Sequence, residues 1–226
     1  MNEYVTAYLK GAVMQLLFAL APLLSAVAAL VVRDGPNYVK IKGVSLLGSG
    51  CPAGTADVQV DATGSLFEAT FSQYEVETGP GTYPSDWRKN CKLTLNMEFQ
   101  SGFQDHFYKL LTNVFRFTIV ETDMIGFAEI PAGVKGQCTN TFSFTGNGAE
   151  HVDYKIALNG HYSGTFDLQS RPGIFSWSPC GGSTAILNMN TACNITPTKL
   201  PALIAVDHIS GKLTVKFAVD WRPCPK

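Results

Sequence analysis

Residues Cys91–Phe99 read C-K-L-T-L-N-M-E-F, a strict alternation of apolar and polar side chains. Cys91, Leu93, Leu95, Met97 and Phe99 fall on one side, and Lys92, Thr94, Asn96 and Glu98 on the other. A period of two residues is that of a strand with one face buried and one in water, the pattern of an antiparallel sheet. Leu213, Val215, Phe217, Val219 and Trp221 repeat it near the C-terminal end. Shorter alternations surround Val39/Ile41, Val58/Val60, Phe67/Phe71, Phe117/Ile119, Phe142/Phe144, Val152–Leu158 and Ala185–Met189. Turn sequences separate them, among them Gly48-Ser49-Gly50, Gly79-Pro80-Gly81, Gly146-Asn147-Gly148, Arg171-Pro172-Gly173 and Ser210-Gly211. The pattern predicts an all-β fold, an antiparallel β-sandwich of about nine or ten short strands. One segment breaks it. In Asp105–Arg116 the residues Phe107, Leu110, Leu111, Val114 and Phe115 have helical spacing, which predicts one short helical insertion capped by Asp105.

Composition agrees with a packed chain. Of 226 residues 46% are hydrophobic and only 15% charged, which excludes disorder over most of the length. The 17 Lys+Arg against 18 Asp+Glu leave a net charge of −1, which excludes a strongly basic nucleic-acid binder. The N-terminus has no charge between Lys10 and Arg33, and its Leu- and Ala-rich run ends in Ser25-Ala26-Val27-Ala28. Such a run followed by small residues is a secretory signal peptide, predicted over 1–28, with 29–226 as a single secreted domain that has no membrane contact after cleavage.

Six cysteines, Cys51, Cys91, Cys138, Cys180, Cys193 and Cys224, all lie beyond the signal segment. None forms C-x-x-C, so zinc-ribbon and thioredoxin chemistry are set aside. An even number in an oxidising compartment predicts three disulfides, each contributing about 3–4 kcal/mol in the chain-entropy picture. Fifteen connectivities are open at this point.

No motif in the chain assigns catalysis, a metal or a cofactor. His106, His151, His161 and His208 are scattered, with no H-E-x-x-H. Gly43-Val44-Ser45-Leu46-Leu47 lacks the second glycine of a nucleophile elbow. Gly48-Ser49-Gly50-Cys51-Pro52 leads to no Lys-Ser/Thr and so is a turn rather than a phosphate loop. The carboxylate pairs Glu121/Asp123 and Glu75/Glu77 each lie two apart, where they would share a strand face. They are the basis of an alternative reading as a glycan hydrolase. Tyr83, Trp87 and Arg88, in the turn-rich GTYPSDWRKNC of 81–91, form the best contact cluster, because aromatic faces stack on sugar C–H faces. Trp177 and Trp221 each precede a cysteine by three residues, in WSPC and WRPC, and read as core residues beside a disulfide. Asn194-Ile195-Thr196 is an N-glycosylation sequon, read as an exposed turn. The expected role is a non-catalytic secreted protein that binds a cell-wall glycan or an extracellular protein. A second alternative is an effector-type interaction domain docking through the Phe107–Phe115 face.

Several strings together resemble a known family: VKIKGVSLLGSGCPAGTADV (39–58), SDWRKNCKLTLNMEFQSGFQ (85–104), FTIVETDMIGFAEIPAGV (117–134), WSPCGGSTAILNMNT (177–191) and DHISGKLTVKFAVDWRPC (207–224). In this order they resemble the domain-of-unknown-function family 4360, small secreted cysteine-containing proteins of fungi and bacteria. The resemblance implies an extracellular, β-rich, cysteine-stapled protein with no assigned activity. It further implies the pairs Cys51–Cys91 and Cys180–Cys224, with Cys138–Cys193 as an additional pair. The chain departs from the family pattern at Asp105–Arg116, which interrupts a strand run between Gln104 and Phe117, as a surface insertion or a splicing error would.

Overall fold

The alternating segments form strands wherever the structure, a computed structural model, describes the chain: residues 35–36, 38–99 and 115–225. The predicted signal peptide over 1–28 and the stretch 105–114 of the predicted insertion lie outside the described residues. Among the described residues the elements are all strands: β1 (Val39–Leu47), β2 (Ala56–Val60), β3 (Leu66–Phe71), β4 (Glu75–Thr78), β5 (Arg88–Phe99), β6 (Phe115–Ile130), β7 (Lys135–Phe144), β8 (His151–Asn159), β9 (Tyr162–Ser170), β10 (Thr184–Thr196), β11 (Ala202–Ala205) and β12 (Leu213–Pro223). β4, β9 and β11 exceed the sequence expectation. β4 and β11 have only four residues each, too few to show a period, and β9 is diluted by Ser163, Gly164 and Thr165.

The helix expectation is corrected at its end. Phe115 and Arg116 are the first residues of β6 and pair with Pro223 and Arg222 of β12. Cross-strand hydrogen bonding overrides a local 3.6-residue period that two residues cannot sustain alone.

All strand pairing is antiparallel. One sheet has five strands in the order β1-β5-β10-β7-β8. The other has seven, in the order β2-β3-β12-β6-β11-β4, with β9 on the free flank of β6. The inner faces of both supply one apolar core, and aromatic pairs cross between the sheets. Phe99 of β5 meets Phe117 of β6 edge-on at 6.2 Å, and Phe142 of β7 packs on Phe217 of β12 at 5.2 Å. Each buried ring contributes about 1.5–3 kcal/mol.

β6 changes phase along its length. Phe117 and Ile119 point inward, as do Thr122, Met124 and Ala128, because a register shift opposite Ala218/Val219 places one extra residue, Val120, in β6. A β-bulge of this kind flips which side of the sheet successive residues face. It turns Glu121 and Asp123 outward.

Three disulfides tie the structure together: Cys51–Cys91, Cys138–Cys193 and Cys180–Cys224, with no free cysteine. Cys138 and Cys193 are direct cross-strand partners on β7 and β10. Cys51 ties the turn after β1 to β5. That turn needs its glycine, since a Cβ at Gly50 would lie 2.5 Å from the ring of buried Tyr74.

Candidate functional site

The outer face of the five-stranded sheet is built by the polar half of each alternation. Register sets out its rows. Thr94, Asn188 and Ser143 align across β5, β10 and β7; Lys92, Asn190 and Thr141 form the next row, and Asn90, Ala192 and Thr139 the one after. The last row places Arg88 beside Asn194 and Gln137. Several of these side chains orient one another. The Thr94 hydroxyl donates to Asn188 Oδ1 at 2.9 Å, Asn188 Nδ2 donates to Thr145 Oγ1 at 3.2 Å, and Asn90 Nδ2 donates to Asn190 Oδ1 at 3.4 Å. Each amide has two donor hydrogens and two acceptor lone pairs, so these bonds use only part of its capacity. The remainder faces water as a patterned array of donors and acceptors, interrupted by the cation Lys92.

Of the predicted cluster, Arg88 stands in the last row of this face, and Tyr83 and Trp87 lie in the loop before it. Tyr83 is 76% exposed in the loop before β5, Trp87 is half-buried, and Arg88 is exposed as the first residue of β5. The loop is shaped by Asp86, a residue that sequence reasoning missed. Its carboxylate accepts from the Tyr83 N–H and from Lys89 Nζ, both at 2.8 Å. The Lys89 hydrogen bond, with the Tyr83 N–H second, holds the Asp86 carboxyl below the usual carboxylate range. The signal was present in S-D-W-R-K, an Asp three residues before a Lys. The Trp87 carbonyl accepts from Ile195 N at 3.0 Å, which fastens the loop to β10.

Asn194 is not on a turn. It is half-buried near the end of β10, a strand paired on both sides, with Arg88 directly opposite. A glycan attached there would stand beside Arg88, its cross-strand neighbour.

The carboxylate pairs separate in role. Glu121 and Asp123 do share the outer face of β6, but Glu121 is engaged: Arg171 forms an ion pair with it and Gln169 Nε2 donates to it at 2.6 Å. Glu75 and Glu77 share the outer face of β4, and Leu203 lies between Glu77 and Glu129 in one cross-strand row. Glu77, Glu129, His161, Tyr162 and Leu203 line a cleft of ≈ 600 Å³. His151 and Asp153 share the outer face of β8, where Asp153 accepts from the Thr141 hydroxyl at 2.7 Å. Among the described residues no group of three or more His, Cys, Asp or Glu is arranged to hold a metal ion, and no helix is long and apolar enough to cross a membrane.

The two tryptophans before cysteines differ. Trp221 is core, 6% exposed, with its Nε1 donating to the Gly64 carbonyl at 2.9 Å. Trp177 is half-buried outside the core, against the guanidinium groups of Arg116 and Arg222. The identical W-x-P-C spacing carries no information on which side of the backbone each ring falls.

Among known proteins, an uncharacterized secreted protein of Arthroderma benhamiae is 28% identical over 193 residues, spanning 84% of this chain and 73% of that one. Among solved structures, TmCBM61 in complex with β-1,4-galactotriose aligns over 84% of this chain and 96% of its own, at 10% identity and a TM-score of 0.29. A family 11 carbohydrate-binding module from Clostridium thermocellum, in complex with a mixed-linked tetrasaccharide, aligns over 80% of this chain and 92% of its own, at 8% identity and a TM-score of 0.23. Scores of this size leave those ligands with those proteins. The protein is secreted, in keeping with its secreted relative and its fully paired cysteines. The match to the family profile runs from residue 37 to residue 224, and the chain therefore belongs to the family described as Domain of unknown function (DUF4360).

Proposed function

We propose that this protein is a non-catalytic β-sandwich module, exported by a cleaved signal peptide over 1–28, that binds an extracellular glycan on the outer face of its five-stranded sheet. The observation that carries the reading is the row-by-row register of amides and hydroxyls across β5, β10 and β7, continuous with Arg88 at its end. A sugar hydroxyl both donates and accepts, and an array with both functions left open complements it in either sense. Trp87, half-buried in the loop next to Arg88, is the ring proposed to stack on a sugar. Engagement of Glu121 by Arg171 and Gln169 favours binding over hydrolysis at the Glu121/Asp123 pair.

The test is retention on cell-wall polysaccharides in affinity electrophoresis, with material lacking N-glycans. Asn188→Ala with Asn190→Ala, and separately Trp87→Ala, are each expected to weaken retention about fivefold or more, the equivalent of roughly one hydrogen bond or stacking contact. Retention unchanged in both variants removes the reading. Occupancy of Asn194 by a glycan is expected to weaken binding as Trp87→Ala does, since Asn194 and Arg88 are cross-strand neighbours.

A further inference from the structure

The paired W-x-P-C strings converge on one place at the other sheet. WSPC supplies Trp177, WRPC supplies Arg222, and the Cys180–Cys224 disulfide joins their ends. The segment before Cys180 runs along the free edge of β6: Ser178 N donates to the Phe117 carbonyl at 2.8 Å, and Phe117 N donates to Ser178 Oγ at 3.0 Å. This anchoring holds Trp177 over the strand end, where Arg116 lies 4.7 Å and Arg222 4.9 Å from the ring centre.

Arg116 and Arg222 are direct cross-strand partners on β6 and β12. Like charges placed opposite one another destabilise a sheet unless something offsets them. The indole ring offsets part through cation–π contact. Asp220 offsets part of the rest, accepting from Arg222 Nε at 3.0 Å. Arg116 has no such partner among the described residues, and its Nε is buried without an acceptor. The buried Nε is out of a ligand's reach, and it is the terminal nitrogens of the two neighbouring guanidinium groups that are complementary to a planar or tetrahedral oxyanion. Arg222, 62% exposed in its side chain, leaves the site open to a large ligand.

We propose that Arg116, Trp177 and Arg222 form a second binding site, which takes an oxyanion group, carboxylate or sulfate, carried on an acidic extracellular polysaccharide. The site lies on the seven-stranded sheet and is independent of the amide face of the other sheet. It gives the protein an anionic-glycan affinity that neutral glycans do not share.

Binding of the full chain to polygalacturonate, dextran sulfate, a neutral β-glucan and inorganic phosphate is compared at low and high salt. The wild type is expected to bind both acidic polymers and to release them as salt rises. Arg116→Gln, Arg222→Gln and Trp177→Ala are each expected to weaken that binding about tenfold, as for loss of a charge-assisted contact, with neutral-glucan retention unchanged. Arg222→Gln changes an exposed side chain and reports even where Arg116→Gln does not fold. Acidic-polymer binding at wild-type strength in Arg222→Gln and in Trp177→Ala overturns the proposal, as does wild-type binding to phosphate alone with none to the polymers. Asn188→Ala/Asn190→Ala is expected to keep acidic-polymer binding, so failure of the amide face and failure of this site read out separately.

Discussion

The Tyr74 hydroxyl sits where three backbone groups of two strands need it. It donates to the Lys89 carbonyl at 2.9 Å, shares its hydrogen with the Thr191 carbonyl at 3.2 Å, and accepts from Cys193 N at 3.1 Å. Burial pushes its phenol pKa well up, outweighing the Cys193 N–H and the charge of Arg88, so the group stays a neutral donor. It thereby links the turn after β3 to β5 and β10 beneath the amide face. Tyr74→Phe removes the donor and leaves the Cys193 N–H without its acceptor in the core. The expected cost is about 1–3 kcal/mol in urea unfolding, and a loss under a few tenths would show that the backbone groups find other partners. Nothing in S-Q-Y-E-V singles out Tyr74 by sequence, because its partners lie 15, 117 and 119 residues away.

At the scale of elements, alternation made β5 and β12 legible, since their inward residues from Cys91 to Phe99 and from Leu213 to Trp221 are all apolar. β6 was legible only in halves. Its inward phase passes from odd to even numbers across Val120, and a bulge is set by the partner strand rather than by local preference. The disulfides differ in what they add to these elements. Cys138–Cys193 joins two strands already in register. Cys180–Cys224 instead holds an irregular segment against the edge of β6 across a separation of 44 residues. Cys180→Ser with Cys224→Ser is expected to lower stability by about 4 kcal/mol. It is also expected to release Trp177 from its two arginines, read as a red shift in tryptophan emission. An unshifted spectrum with unchanged unfolding would show that hydrogen bonding to Phe117 suffices to seat the segment.

For the whole molecule, carboxylates at scattered turns and strand faces couple the fold to pH. Asp86 is held below 3.8 first by Lys89, and Asp207 first by the Thr165 hydroxyl and then by Ser210 N–H. Glu98 is held below its usual 4.5 by Lys42. At Asp61 burial raises the pKa, but hydrogen bonds from Thr63, Leu66 and Ser65 outweigh it and the net shift is downward. Depressed folded values mean that the ionised forms favour the folded chain. The stability they contribute is present above the unfolded values near 4 and is lost as pH falls through the folded ones. Thermal melts are therefore expected to hold a constant midpoint from neutral pH to about 5 and to fall below about 4. A midpoint that rises on acidification would refute this coupling.

The amino-acid sequence by itself determined the all-β class, the inward and outward faces of the long strands, and the need for disulfides. All three follow from local period and from composition, which a chain carries whatever its partners are. Tertiary structure alone decided which polar residues stand side by side. The amide rows, the meeting of Arg88 with Asn194, the capture of Glu121 by Arg171 and the convergence of Arg116, Trp177 and Arg222 all depend on register between distant strands. Register is fixed by the packing of two inner faces together, and a shift of one residue would send every one of these side chains to the opposite side.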